Sequence, residues 1–207
     1  MPQSFNELLP LVILAFGGLS GGTAGAAGGT LPGTTPATGL TSALEVPRVR
    51  TGIDGWREWA KSRYDLLIGL IRASGYVTDD SQAQEIALSL LAQWAHETAR
   101  GKSEWNHNLG GWRARRKDTY FTARDMQTAN SPLYRWTAYP DLTTGMTDQV
   151  MRLVKTFPRA AKLLLAEPKS SRWVEQLGKD GYYTAKPSAY ARAWATNRAE
   201  LKGVVMP

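Results

Sequence analysis

The chain changes character near residue 47, and the change shows in the order of apolar and polar positions. Before it, LLPLVILAFGGL is apolar but interrupted by Pro10 and the Gly17–Gly18 pair. GGTAGAAGGTLPGTTPATGL then runs on with neither a two-residue nor a 3.6-residue apolar period. The first run is too short and too broken for a membrane-crossing helix. It lacks the basic start of a secretory signal, although TAGA resembles a small-residue cleavage site. The Gly/Thr/Ala/Pro tract cannot bury enough surface to offset the entropy of ordering it. Residues 1–46 therefore read as an irregular apolar and Gly-rich anchoring arm, and residues 47–207 as the folded domain.

Helical period sets in at Asp54. GWREWAKSRYDLLIGLIRASG puts Trp56, Trp59, Arg63, Leu66 or Leu67 and Leu70 about a turn apart, with Gly75 as the stop. Ser81 and Gln84 form a capping box that opens a second helix, Asp79 and Asp80 sit at its positive end, and Gly101 ends it. The apolar stripe of this helix is Ala83, Ala87, Leu90 and Trp94, with Ile86 and Leu91 alongside, and the next position on it is Glu97. Residues 104–140 lose the helical period. Asn and Gly cluster at 106–111, and TYFTA and YRWTAY alternate as two short strands would. After Pro140 helices return in TDQVMRLVKTF, PRAAKLLLA, SSRWVEQLGKDG and KPSAYARAWATNRAEL, with Pro158 and Pro187 near two of the starts. The pattern predicts a mainly α domain with a small β-hairpin excursion, and Trp56, Trp59 and Trp94 as core.

Composition narrows the chemistry. Eight Trp and 43% apolar residues support a packed core. With no cysteine there is neither a disulfide framework nor a thiolate metal site, and two histidines are too few for a histidine-based zinc centre. No metal and no cofactor are expected. The net charge of +7 favours an anionic partner such as nucleic acid, an acidic membrane face or a bacterial wall polymer. It is unevenly spread: residues 1–46 carry Glu7 and Glu45 and no Lys or Arg, whereas Arg100 to Arg124 holds seven basic residues against Glu104 and Asp118. The aromatics of that stretch (Trp105, Trp112, Tyr120, Phe121) suit stacking on bases and on sugar faces alike. No recognition-helix or RNA-recognition signature accompanies them, which argues against nucleic acid.

Glu97 is the sharpest chemical feature. A carboxyl beside apolar side chains, at the negative end of a helix, has its pKa raised and stays protonated as a proton donor. The competing reading is a structural Glu paired with an Arg. Glu104 and Asp118 read as exposed turn carboxylates, and His107 as a loop hydrogen-bonder. His96, off the stripe, orients a neighbour. Trp136 and Tyr139 are either core of the small lobe or cleft wall.

Taken in order, AQWAHETARGKS, NHNLGGWRA, YRWTAYPDLTTGMTDQVMRLV, RAAKLLL and WVEQLGKDGYYTAKPSAYARAW resemble the glucosaminidase family of peptidoglycan hydrolases, of the flagellar and autolysin type. The resemblance spans roughly residues 80–200. It implies a lysozyme-like helical fold that cleaves β-1,4 bonds of peptidoglycan glycan strands, with Glu97 as general acid beside His96 and Thr98. Lys102 and Ser103 take the family's turn after the acid helix. Asn106, Asn108, Leu109, Gly110 and Trp112 lie along the implied sugar cleft. Tyr182 supports the reacting sugar, and Tyr183, Tyr190 and Tyr139 complete the implied substrate contacts. Three positions depart from the family pattern: Arg100, Ala185 where an acid is common, and the absent β-region Glu, for which Asp125 is the nearest carboxylate.

Glycoside hydrolysis normally uses two carboxylates; with one, the substrate's N-acetyl group serves as nucleophile. The alternatives are a lytic transglycosylase, or a wall-binding structural component that kept a hydrolase fold. The arm suits a tether to protein partners in a larger assembly. That places the chain on a bacteriophage virion for wall penetration, or in the periplasm and cell wall, with a secreted autolysin as the alternative.

Overall fold

The computed structural model describes residues 43–74, 77–124 and 131–206. Most of the arm, the helix stop expected at Gly75, and Asp125 lie outside the described residues. Within them the elements follow in the order α1 (Trp56–Ala73), α2 (Asp80–Glu97), β1 (Tyr120–Arg124), β2 (Leu133–Thr137), α3 (Leu142–Thr156), α4 (Pro158–Ala166), α5 (Arg172–Lys179) and α6 (Pro187–Val205). The domain is mainly α with one two-stranded antiparallel sheet, the class the pattern predicts. Tyr120 stands opposite Thr137 and Arg124 opposite Leu133.

The second helix is the axis of the domain. Every residue from Glu85 to Ala95 is buried, so α2 is enclosed, with α1 and α6 as its main neighbours. That corrects the one-faced stripe: IALSLLAQWA is apolar all round, and such a helix buries all round. The polar side chains on it are paired. Glu85 bonds Arg198 and Lys169, and Ser89 Oγ accepts from Arg198 Nε at 3.2 Å. Trp59 and Trp94 are core as expected, while Trp56 is half-buried and stacks on Trp59 with ring centroids 5.6 Å apart.

Two helix starts differ from the sequence reading. Asp79, not Ser81, caps α2, its carboxylate accepting from Ser81 N and Gln82 N at 3.1 and 3.3 Å. The third helix begins at Leu142, five residues before the TDQV period, because Asp141 accepts from Thr144 N at 2.8 Å. Gly145 then sits inside that helix, where a Cβ would lie 2.5 Å from His107 O. Gly145→Ala, although better for an isolated helix, is therefore expected to destabilise the domain by about 1–3 kcal/mol in urea unfolding.

The chain enters the domain as a strap across the hairpin lobe. Val46 N donates to Tyr120 O at 2.8 Å and Tyr120 N to Leu44 O at 2.9 Å. Asn106 pins the strap further on, its Oδ1 accepting from Val49 N at 2.9 Å and its Nδ2 donating to Pro47 O at 3.0 Å.

Candidate active site

Glu97 is the last residue of α2, and the turn after it is tightly built. Thr98 is buried, with its hydroxyl donating to Trp94 O at 2.8 Å and accepting from Gly101 N at 3.0 Å. Ala99 and Arg100 take left-handed φ of 46° and 61°, a strained conformation for residues with a Cβ. Gly101 follows at φ 84°, against the Trp59 indole, where no side chain fits. The chain is thereby sent into the 104–112 loop. Asn108 bends that loop back: its Nδ2 donates to Trp112 O (2.9 Å) and Thr137 O (3.1 Å), and its Oδ1 accepts from Trp112 N (2.9 Å). The result lays Gly111 over the acid, its Cβ position 3.6 Å from Glu97 Oε2.

The Glu97 carboxyl has neutral partners. Oε1 accepts from Tyr190 Oη at 2.6 Å and, weakly, from Gln93 Nε2 at 3.5 Å. Gln93 Nε2 also donates to Tyr182 Oη at 2.8 Å and Tyr190 Oη at 3.3 Å. Each phenol passes its own proton onward, Tyr182 to Gly110 O at 2.8 Å and Tyr190 to Glu97. Burial pushes the Glu97 pKa up to about 7, with the Tyr190 and Gln93 hydrogen bonds pulling the other way. Burial, reinforced by the Glu97 charge, holds both phenols well above the usual tyrosine range, so they remain donors. Oε2 accepts no bond among the described residues, and Glu97 lines the cleft, so Oε2 is the carboxyl oxygen left free to hold a proton. Because the Tyr190 bond favours the charged form, Tyr190→Phe is expected to raise the Glu97 pKa further. Carboxyl-carbon NMR titration of the two proteins reads that shift.

The cleft over Glu97 has a volume of approximately 360 Å³. Its lining combines aromatic rings (Trp112, Phe157, Tyr182 and Tyr183) with cations (Arg113, Arg115 and Arg152), Arg152 lying over the Trp112 ring at 5.9 Å. Tyr182 is the hub of the aromatic rings, edge-on to Trp112 at 5.4 Å and to Phe157 at 5.5 Å. Tyr183 stacks flat on Tyr190 at 3.9 Å, and His96 meets Tyr190 edge-on at 4.5 Å. Arg113 lies between the Tyr134 and Trp136 rings, at 3.3 and 3.8 Å.

Among the described residues lining this cleft, Glu97 is the one carboxylate. The Arg-paired structural role falls to Glu104. It is fully buried rather than exposed, binding Arg63 Nη2 at 2.9 Å, Trp59 Nε1 at 2.7 Å and Thr51 Oγ1 at 3.2 Å. Burial opposes its charge, but His107, Arg63 and Trp59 outweigh that and hold its pKa below the usual value. Asp118 is likewise tied down, accepting from Arg152 Nη2 at 2.7 Å and Arg115 N at 2.8 Å, so neither acid faces Glu97 across the cleft.

The site residues expected from the sequence divide into three groups. Glu97, Gly110, Trp112, Tyr182 and Tyr183 line the cleft, and Tyr190 holds the acid from behind. Thr98, Asn106 and Asn108 are buried with their polar atoms engaged, so they shape the loop rather than face a ligand. Lys102 and Ser103 lie in the turn outside the cleft, and His96 is on the outer side of Tyr190. Tyr139 is buried, with its hydroxyl on Asp148 at 2.6 Å, in a neighbouring groove. Gln93 was missed. Its position one turn before Glu97 on the same helix was the signal available. Phe157 and Arg152, from α3 and its end, carry no motif that marks them.

No family model matches the chain. No curated protein matches it either. Among solved structures, the chain is similar to a peptidoglycan hydrolase from Sphingomonas sp. A1, at 25% identity and a TM-score of 0.48. A mutant of a peptidoglycan hydrolase from the same organism gives 26% and 0.49. Each alignment covers 61% of this chain and 88% of the other. At such TM-scores the folds overlap only in part.

Proposed function

We propose that the chain is a glycoside hydrolase with a lysozyme-like domain that cuts β-1,4 bonds of peptidoglycan glycan strands, as a glucosaminidase. The observation that carries this reading is the Glu97 carboxyl. It has a pKa pushed up to about 7, neutral partners on one oxygen, and a second oxygen free to hold a proton, at a cleft whose lining includes aromatic rings. Glu97 protonates the glycosidic oxygen as the C1–O bond breaks. With one carboxylate in the described cleft, the carbonyl oxygen of the substrate's own N-acetyl group attacks C1; water then attacks C1 and opens the resulting ring, giving its proton to the Glu97 carboxylate and restoring the acid. Asp125 is the candidate for a second carboxylate. The aromatic rings take sugar faces, and the basic residues 113–117 face the anionic wall polymer. Tyr182, whose hydroxyl is held between Gln93 and Gly110 O, acts through the shape of the cleft rather than through a free phenol.

The composition of residues 1–46 fits a tether to a larger assembly, and a virion that must open a cell wall is the assembly we favour. The test of the enzymatic reading is digestion of purified peptidoglycan by the full chain, with products read by mass spectrometry. Reducing N-acetylglucosamine ends support it. Anhydromuramyl ends make the chain a lytic transglycosylase instead. Retention on the wall with no release makes it a binding component.

A further inference from the structure

Beside the catalytic cleft lies a second groove of approximately 380 Å³, and the two share Arg115 and Arg152 in their walls. Its volume is within the range of ligand pockets. The buried Arg152 is the partition: Nε bonds Asp148 at 2.5 Å, Nη2 bonds Asp118 at 2.7 Å, and Tyr139 Oη closes the network on Asp148 at 2.6 Å. Both acids of the groove are thus held by the one Arg152, and with Arg115 and Lys155 the lining has three cations against two carboxylates. Arg115 and Lys155, on opposite segments at its rim, are exposed, and neither side chain makes a hydrogen bond or ion pair among the described residues. Arg115 also acts on Asp118 through its charge, but the excess of cations in the lining, with Arg115 and Lys155 exposed, favours an anion. Among the described residues that line the groove, Tyr139 is the one aromatic ring, and it is buried with its hydroxyl engaged, so these residues offer no stacking platform for a sugar ring.

We propose that this groove binds the carboxylate-bearing peptide branch of the glycan whose backbone occupies the Glu97 cleft, through Arg115 and Lys155. The inference rests on the hydrolase reading and makes the groove a specificity site of that activity. A branch attached to a sugar in the cleft needs an anion-accepting groove that shares a wall with it, which is the arrangement here.

The experiment compares glycan strands bearing their peptides with the same strands stripped by an amidase, using the full chain. Wild type is expected to prefer the peptide-bearing strands in kcat/KM by about three- to ten-fold, the scale of two exposed ion pairs, with the preference shrinking at high salt. The Arg115→Ala/Lys155→Ala variant should lose that preference. The Arg57→Ala/Lys61→Ala variant, with the same charge removed from exposed positions on α1, should keep it. A double variant with the wild-type ratio, or a wild type with no preference, overturns the proposal. Binding is read separately by titrating the Glu97→Gln chain with soluble disaccharide, with and without peptide. Tighter binding of the peptide form without any cleavage by wild type sinks the hydrolase reading and leaves the groove assignment standing. Equal binding of the two forms sinks the assignment whatever is cut.

Discussion

Glu97→Gln should lose about a thousandfold in kcat/KM on peptidoglycan, the scale of a general acid, while becoming more stable than wild type above neutral pH. The two effects share one cause. The folded-state pKa of Glu97 is raised by burial to about 7 from an ordinary value of 4.5. Between those values the native protein holds a proton that the unfolded chain has released, so stability falls as pH rises across that window. The contribution is fully present below about pH 4.5 and lost once pH passes about 7. The isosteric amide still accepts from Tyr190 Oη and has no charge to desolvate. At pH 8 the variant should be more stable by about 3 kcal/mol, seen as a Tm higher by about 6–12 °C, and at pH 4 the two proteins should match. Wild-type activity should fall along the same limb as pH rises through about 7, since the deprotonated acid has nothing to donate. Equal Tm values for the two proteins at pH 8 would show that the carboxyl is not desolvated as the structure has it.

The second large effect is at the other acid of the loop. Arg63→Met leaves Glu104 fully buried with its charge uncompensated and should cost about 3–5 kcal/mol in urea unfolding. Adding Glu104→Gln should return part of that loss, because the amide oxygen still accepts from Trp59 Nε1 and carries no charge. The strap at Thr51 is bound by the same pair, through Thr51 O on Arg63 Nη2 at 3.1 Å and Thr51 Oγ1 on Glu104. It should loosen in the single variant and re-form in the double. If the double is no more stable than the single, a buried unpaired charge is not the cause.

Much of the fold was legible because local and tertiary signals agree. Pro158 and Pro187 open helices as their positions imply, and TYFTA and YRWTAY pair as strands. Where the reading failed, a contact remote in sequence had overridden the local pattern. Gly145 and two threonines look like a loop, but Asp141 caps them into a helix and His107 O requires the glycine. Glu104 looks exposed in its turn because nothing nearby announces Arg63, 41 residues earlier. Glu97 stood out because the acid follows an apolar run within one helix. Its partner Tyr190, 93 residues on, drew attention by motif alone, and the bond between them is a product of the fold. Gln93 is the instructive miss: within an enclosed helix a lone amide needs partners, and it has them in two phenols.

The enclosure of α2 also sets how tolerant the protein can be to change. The acid is carried on the last turn of a helix gripped from all sides, so its placement over the cleft is inherited from Leu88, Leu91 and Trp94, none of which lines the cleft. A misplacement of about 1 Å at a reacting group can lower a rate by about a hundredfold. Saturation mutagenesis scored on activity should therefore mark these interior positions as strictly as the cleft itself, while a screen scored on solubility alone passes many of the same variants.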